Sequence, residues 1–233
     1  MSRGNSEEIF RGKQEVSAFI DLDMTLTEER TIAVVERELK LDGKISEILK
    51  APIDEKEKSK RIASILSGFE LKYLQEIAAE TEVSSCGKKL ISELSERGFD
   101  VYIVTLSYRQ IAEPVIRKLT GKENNVKILA PELEVVSGKI TGNVINNYER
   151  IETPWCIRCP LCKRRSLLPF KRRPSIAIGD SLPDICMFLE TDFSILIDRG
   201  SVPENLKRFA SVIVFDLCGA LEALVSYLDG GRV

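Results

Sequence analysis

Ala18-Phe19-Ile20-Asp21-Leu22-Asp23-Met24-Thr25-Leu26-Thr27 is the stretch from which the fold of this chain is read. Its apolar lead-in has the character of a buried strand. Two carboxylates at alternating positions arrive as that strand runs out, followed by hydroxyls and then a helical pattern. An open α/β sheet binds its ligand in the crevice beyond the C-terminal ends of parallel strands, which is where Asp21 and Asp23 would stand. Taken alone, the pair would serve equally well as turn or capping residues. The remainder of the chain decides between the two.

Working outward, a first strand is expected over residues 16–22 and a polar arm over 1–15. Residues 28–80 lack strand alternation and carry helical spacing instead, over 28–40 (Ile32, Val35, Leu39), 54–66 (Ile62, Ile65, Leu66) and 70–80 (Leu71, Leu74, Ile77), punctuated by Gly43, Pro52 and Gly68. A helix over 88–97 leads to a second strand at 101–104, which stops at Thr105-Leu106-Ser107. Ser107 is a fair N-cap for the helix through Ile111, Val115 and Leu119, and Pro114 would kink that helix or mark a late start. Residues 131–147 look hairpin-like around Ser137-Gly138-Lys139-Ile140-Thr141-Gly142. A third core strand at 175–178 ends in Gly179-Asp180-Ser181-Leu182-Pro183-Asp184. Further alternation follows: helix 184–189, strand 194–197, helix 204–210, strand 212–215 and helix 217–228. Repeated strand-helix units predict a three-layer, Rossmann-like α/β core with a mostly parallel sheet. The core is expected over residues 16–27 and 86–233, with a small helical domain at 28–85 inserted after the first strand.

Composition narrows the chemistry. With 34 basic and 36 acidic residues among 233, the formal charge of -2 gives no general field for nucleic acid or an anionic membrane. No stretch reaches the roughly 20 apolar residues that span a bilayer, so a cytoplasmic protein is expected, as a monomer or homodimer. The six cysteines are expected to be mostly reduced, with Cys86, Cys186 and Cys218 as small core hydrophobes. Histidine is absent, which removes imidazole chemistry and passes acid/base work to carboxylates.

Three strand ends, Asp21/Asp23, Thr105/Ser107 and Asp180/Asp184, would converge at one sheet edge. Four carboxylates cannot all ionise in a crevice without a counter-charge. Hard oxygen ligands completed by water and phosphate suit Mg²⁺ better than zinc. There Asp21 could attack the phosphorus of a small phosphate ester to give an aspartyl-phosphate, and Asp23 could protonate the leaving oxygen and then activate water.

Asp21-Leu22-Asp23-Met24-Thr25 resembles the first motif of the haloacid-dehalogenase-like phosphohydrolases. Thr105 falls where their second-strand Ser/Thr sits, Gly179-Asp180-Ser181-Leu182-Pro183-Asp184 resembles their acidic last motif, and Lys163 matches their lysine. The resemblance spans about residues 18–216. It implies Asp21 as nucleophile, Asp23 as general acid/base, phosphate contacts from Thr105, Leu106 and Lys163, and a metal held by Asp21, the Asp23 carbonyl, Asp180 and also Asp184. The helical insertion would be the family's cap. Within the family the chain is most similar to phosphoserine phosphatases, in its hairpin signature and in Arg61, which matches a cap arginine that binds the substrate carboxylate. It departs at Arg30, where that group has a glutamate for the substrate ammonium, and at Leu106-Ser107, where it has Gly-Gly. Arg30 at the mouth of the site favours an anionic or polyol group over an ammonium. The cysteine directly before Lys163 also resembles the methionine-salvage phosphatase of a methylthio-keto-pentenyl phosphate. A receiver-like, catalytically weak phosphate-binding protein is the reading of a different class.

Two features lie outside that scheme. Cys156, Cys159 and Cys162 could converge on one structural metal, but a tetrahedral site needs a fourth ligand, and Cys86, Cys186 or Cys218 would have to come from far away in sequence. The sequence alone therefore favours reduced thiols in a loop, without zinc or iron. Lys163, Arg164, Arg165, Lys171, Arg172 and Arg173 form a basic run, in which Lys163 belongs to the site and the others are read as a solvated face beside a pocket for an anionic substrate rather than a nucleic-acid surface.

Overall fold

The computed structural model describes residues 16–121, 126–145 and 149–230. The expected arm at 1–15 and the expected hairpin's last two residues, 146–147, lie outside the described residues. In chain order, β1 (Val16–Ile20) is followed by α1 (Thr31–Glu38), α2 (Lys44–Lys50), α3 (Glu55–Ile65) and α4 (Leu71–Ala78). Next come α5 (Gly87–Glu96), β2 (Phe99–Val104), α6 (Arg109–Thr120), β3 (Lys127–Leu129), β4 (Glu132–Val136) and β5 (Lys139–Ile145). The chain ends with α7 (Lys163–Leu167), β6 (Ser175–Gly179), α8 (Leu182–Phe188), β7 (Phe193–Ile197), α9 (Glu204–Lys207), β8 (Val212–Val214) and α10 (Leu217–Leu228).

β1 is buried at every residue, as a central strand covered on both faces must be. Its alternate side chains feed two different cores. Ala18 and Ile20 pack with Leu90, Val115 and Leu224 of α5, α6 and α10, while Phe19 packs with Leu167, Ile185 and Leu206 of α7, α8 and α9. That is the three-layer core. The six strands run in the order β3-β2-β1-β6-β7-β8, every pair parallel. From β1 the chain steps outward to β2 and β3, then returns across β1 to β6, so the strand order reverses at β1. A crevice opens at such a reversal, beyond the ends of β1, β2 and β6.

The helices inserted after β1 have their own apolar core, in which Val34, Val35, Ile45, Ile62, Leu66 and Leu74 are buried. Leu133 and Ile140 of the β4-β5 hairpin join this core, and the hairpin amide and carbonyl of Ile140 bond Phe69 and Gly68 across the gap. Its turn residues Ser137 and Gly138 both have positive φ, 51° and 79°, the geometry of a type I′ turn. The sequence reading misses α2. Its seven residues are too short to display a period, and its start is fixed by a distant group, the Glu36 carboxylate, which accepts from the amides of Ile45 at 2.6 Å and Ser46 at 3.1 Å.

Pro114 neither delays nor ends α6, which runs continuously through it. A proline at that position leaves the carbonyl of Gln110 without its helical donor. Gln75 of α4 supplies one, its side-chain amide donating to Gln110 O at 3.2 Å. The expectation for the cysteines fails in one respect: Cys86 and Cys218 form a disulfide with a Cα–Cα distance of 5.3 Å. They are 132 residues apart, so no local pattern could pair them; only the packing of α10 beside the start of α5 brings them together. No helix among the described residues is long and apolar enough to cross a membrane.

Candidate active site

The crevice is a cavity of about 320 Å³, lined by Asp21, Asp23, Thr105, Leu106, Lys163 and Asp180 among others. This gathers residues from four separate segments. Asp21 follows β1 directly, and its amide still bonds Ile178 O of β6 at 2.9 Å, which holds the carboxylate at the strand end. Beyond it the chain turns sharply. Met24 takes a left-handed conformation (φ 67°), and Leu22 O accepts the amides of Thr25, Leu26 and Thr27.

Lys163 is the only lysine buried among the described residues, 3 % exposed, and it sits between two acids. Its Nζ donates to Asp21 Oδ1 at 2.5 Å and to Asp184 Oδ1 at 2.6 Å. Asp184 is placed by the capping box of α8: its Oδ2 accepts from the amides of Asp180 (3.1 Å) and Ser181 (2.9 Å) and from Ser181 Oγ (2.7 Å). Gly179 makes this possible, because a Cβ there would lie 2.4 Å from the Asp184 carboxyl carbon. Asp180 is tied through Oδ1 to Thr25 Oγ1 at 3.2 Å.

Asp23 is held differently. Its Oδ1 accepts from Thr31 N (2.8 Å) and Thr31 Oγ1 (2.7 Å), and its Oδ2 accepts from Ser107 Oγ (2.7 Å). The capping role that the sequence allowed is therefore real, yet the same carboxylate also lines the cavity. Ser107 is not the N-cap of α6; Tyr108 takes that place, and the Ser107 hydroxyl is spent on Asp23. Thr31 was invisible as a site residue in sequence, and Ser107, although placed at the right strand end, was read as a helix cap, because both roles depend on a carboxylate in another segment. The Ser181-x-x-Asp184 spacing is local, and it went unread in the sequence as the capping box that positions Asp184.

The two cap arginines part company. Arg30 lines the cavity mouth. Arg61 does not: it lies on the exposed side of α3 and pairs with Glu57 at 2.9 Å. On that helix Glu55, Lys58, Ser59 and Ile62 line the cavity, recurring at three- and four-residue spacing along one face, and Arg61 is about 100° round from Ile62. The inward cap cation is Lys58, 13 % exposed and paired with Glu55 at 2.7 Å. Within the basic run, Arg164 pairs with Glu190, Arg165 with Glu149 and Arg173 with Asp192, so three of its charges meet acids on the surface.

Asp21, Asp180 and Asp184 offer ligand oxygens that all lie within 4.8 Å of one another. Burial pushes the Asp21 carboxyl well up from its ordinary range, with Lys163 opposing and Asp184 and Asp180 adding to the rise. Burial and Asp184 likewise push Asp180 up to about 6. One lysine does not neutralise three buried acids, and a hard divalent cation coordinated by oxygens supplies the missing charge; the donor set fits Mg²⁺. Protons and cation then compete for the same oxygens. The apparent Mg²⁺ affinity is expected to fall about tenfold for each pH unit below about 6, where Asp180 takes up its proton. Titration of the metal-free protein at about pH 7 and about pH 5 checks this, and equal affinities would mean these acids do not hold the ion.

Comparison with known proteins agrees with this geometry. The family profile of haloacid dehalogenase-like hydrolases matches residues 18–189. The phosphoserine phosphatase of Lactococcus lactis is 26% identical over 172 residues, covering 72% of this chain and 76% of that protein. That of Methanocaldococcus jannaschii is 22% identical over 187 residues, covering 78% and 85%. The Mycobacterium tuberculosis phosphoserine phosphatase is 25% identical over 177 residues, but the match spans only 40% of its length. A substrate-bound phosphoserine phosphatase structure superposes with a TM-score of 0.68 at 20% identity, covering 91% of this chain and 98% of that one. The matched stretch begins in β1 and ends just past α8, so it contains every acid of the crevice together with Lys163; the chain belongs to the haloacid dehalogenase-like hydrolases.

Proposed function

We propose that the chain hydrolyses a small phosphate monoester through an aspartyl-phosphate on Asp21, with Mg²⁺ as cofactor. The observation that carries this reading is the pair of carboxylates two residues apart, both facing one cavity but held in opposite ways: Asp21 against a buried ammonium, Asp23 by hydroxyl and amide donors at the start of α1 and just beyond β2. Asp21 attacks phosphorus as the bond to the leaving oxygen breaks, and Asp23 delivers the proton that oxygen needs. Asp23 then removes a proton from water, which attacks the phosphoenzyme, frees phosphate and restores Asp21. Thr105, the Leu106 segment and Lys163 bind phosphate oxygens. Asp21, Asp180 and the Asp23 carbonyl, with Asp184 beside them, would hold the cation, whose charge offsets the repulsion between phosphate and nucleophile. A passive receiver would use Asp23 only as the acceptor for Thr31 and Ser107 and would have no need of a proton donor facing the cavity. Trapping with labelled substrate tests the scheme: Asp23→Asn should accumulate labelled protein and stall at hydrolysis, and full steady-state turnover by that variant would end it.

For the substrate, Arg30 and Lys58 favour a compound that brings a carboxylate or hydroxyls to the cap, a reading that also accommodates a keto-phosphate of the methionine-salvage type. Phosphoserine is the second reading, supported by the names of the relatives. An ammonium facing Arg30 loses water without gaining a counter-charge, at a cost of several kcal/mol in a closed site. We therefore expect 3-phosphoglycerate to exceed phosphoserine in kcat/KM, and Arg30→Glu to shift the ratio toward phosphoserine by about tenfold or more. A parent enzyme that prefers phosphoserine tenfold would restore the closer family reading. The same reading takes the protein as cytoplasmic, with no nucleic acid or membrane as partner.

A further inference from the structure

The loop that delivers Lys163 carries Cys156, Cys159 and Cys162, three thiols lacking a fourth. The fold sorts the three remote candidates. Cys86 and Cys218 are bonded to each other, and Cys186, on α8, is free. Cys186 and all three loop cysteines line a single cavity of about 20 Å³ beside the site, with Ile151, Trp155 and Leu161 among its other walls.

The geometry points to a tetrahedral four-thiolate site for one Zn²⁺ on Cys156, Cys159, Cys162 and Cys186. The two-residue spacings are those by which a short loop wraps one zinc, with the last ligand from elsewhere in the chain. The void of about 20 Å³ matches a single ion better than the eight atoms of an iron–sulfur cube. Two donors already suit anionic sulfur. The amide of Ile151 donates to Cys162 Sγ at 3.4 Å, and the buried Trp155 Nε1–H, on a residue lining the cavity, has no acceptor. Around zinc the sulfurs would stand about 3.8 Å apart. Among the described residues only the three acids hold their ligand atoms within 4.8 Å of one another, so loading draws the loop in toward Cys186.

The location gives the site its consequence. The carbonyls of Ile157 and Arg158 accept the amides of Glu55 at 3.1 Å and Lys56 at 2.8 Å, at the start of α3. Cys162 immediately precedes Lys163, and Cys186 lies two residues beyond Asp184. One ion would thus fix the base of the cap, the buried lysine and the helix that carries its acidic partner.

This holds whatever ester the active site takes, so it is tested without activity. Protein purified without chelator should carry about one zinc per chain by elemental analysis. The stripped, reduced protein should take up Co²⁺ under anaerobic conditions with strong thiolate-to-cobalt charge-transfer absorption, a signature that binding at the oxygen ligands of the acid site cannot give. Cys186→Ser should lose the zinc and weaken that absorption, while the Cys86→Ser/Cys218→Ser double variant keeps both. A zinc-free parent that takes up neither ion on thiolates would overturn the site, as would zinc fully retained by Cys186→Ser. Iron with inorganic sulfide in place of zinc would overturn the single-ion assignment. The cobalt titration needs only the parent protein, so a variant that fails to fold leaves the test intact.

Discussion

Asp21→Asn should reduce turnover of p-nitrophenyl phosphate by about a thousandfold or more while leaving the metal-free protein as stable as the parent or more so. The loss follows from removing the attacking oxygen's charge. The effect on stability has the opposite sign from that of an ordinary salt-bridged aspartate. An acid whose folded pKa is raised above its unfolded value costs stability at every pH above the unfolded pKa, because the folded state must hold a charge it disfavours. At neutral pH the amide is free of that cost, and Lys163 keeps its bond to Asp184. Melting curves in EDTA beside steady-state rates in Mg²⁺ separate the two effects. A variant that retains a tenth of the activity would show that Asp21 is not the nucleophile, whereas one that loses activity by unfolding would show that the acid is structural.

Lys163→Met should be damaging in both respects. The lysine is 2 % exposed in its side chain and is the cation between Asp21 and Asp184, so its removal leaves buried acids facing one another. Breaking such a pair costs about 3–5 kcal/mol, which for a chain of this size lowers the melting midpoint by roughly 6–20 °C. Burial works against the ammonium, but Asp184 and Asp21 together hold the Lys163 pKa above its ordinary value. Its stabilisation is therefore complete below the unfolded lysine pKa of about 10.4 and is lost only as pH rises beyond it, so neutral pH gives the full effect. Mg²⁺ should recover part of the stability, being a second cation for the same acids, but not the rate, because the phosphate contact is gone. An unchanged midpoint in EDTA would refute the compensation argument; retained turnover would refute the phosphate role.

The chemistry of the crevice was readable from the sequence because its acids sit in short local motifs at the ends of strands. Apolar runs such as Phe19-Ile20 and Ile176-Ala177-Ile178 declare buried strands, and the acid that follows, directly for Asp21 and one glycine on for Asp180, stands where the strand ends. Three strands in parallel then suffice to bring Asp21, Thr105 and Asp180 together. The hairpin was legible for the same reason, its Ser137-Gly138 turn being local.

What the sequence left undecided was which way side chains outside those strand ends face and which distant partners they meet after folding. Arg30 and Arg61 occupy matching places along the chain, but a helix turns about 100° per residue, and the packing of α3 through Ile62 and Ala63 sends Arg61 outward and Lys58 inward. Cys86, Cys186 and Cys218 are alike as letters, yet α10 against α5 bonds two of them and α8 against the 156–162 loop brings the third to its fellows. Periodicity and motif are properties of a few consecutive residues, set by backbone geometry. Pairing across more than a hundred residues is set by which apolar faces bury one another, and that is decided by the tertiary structure alone.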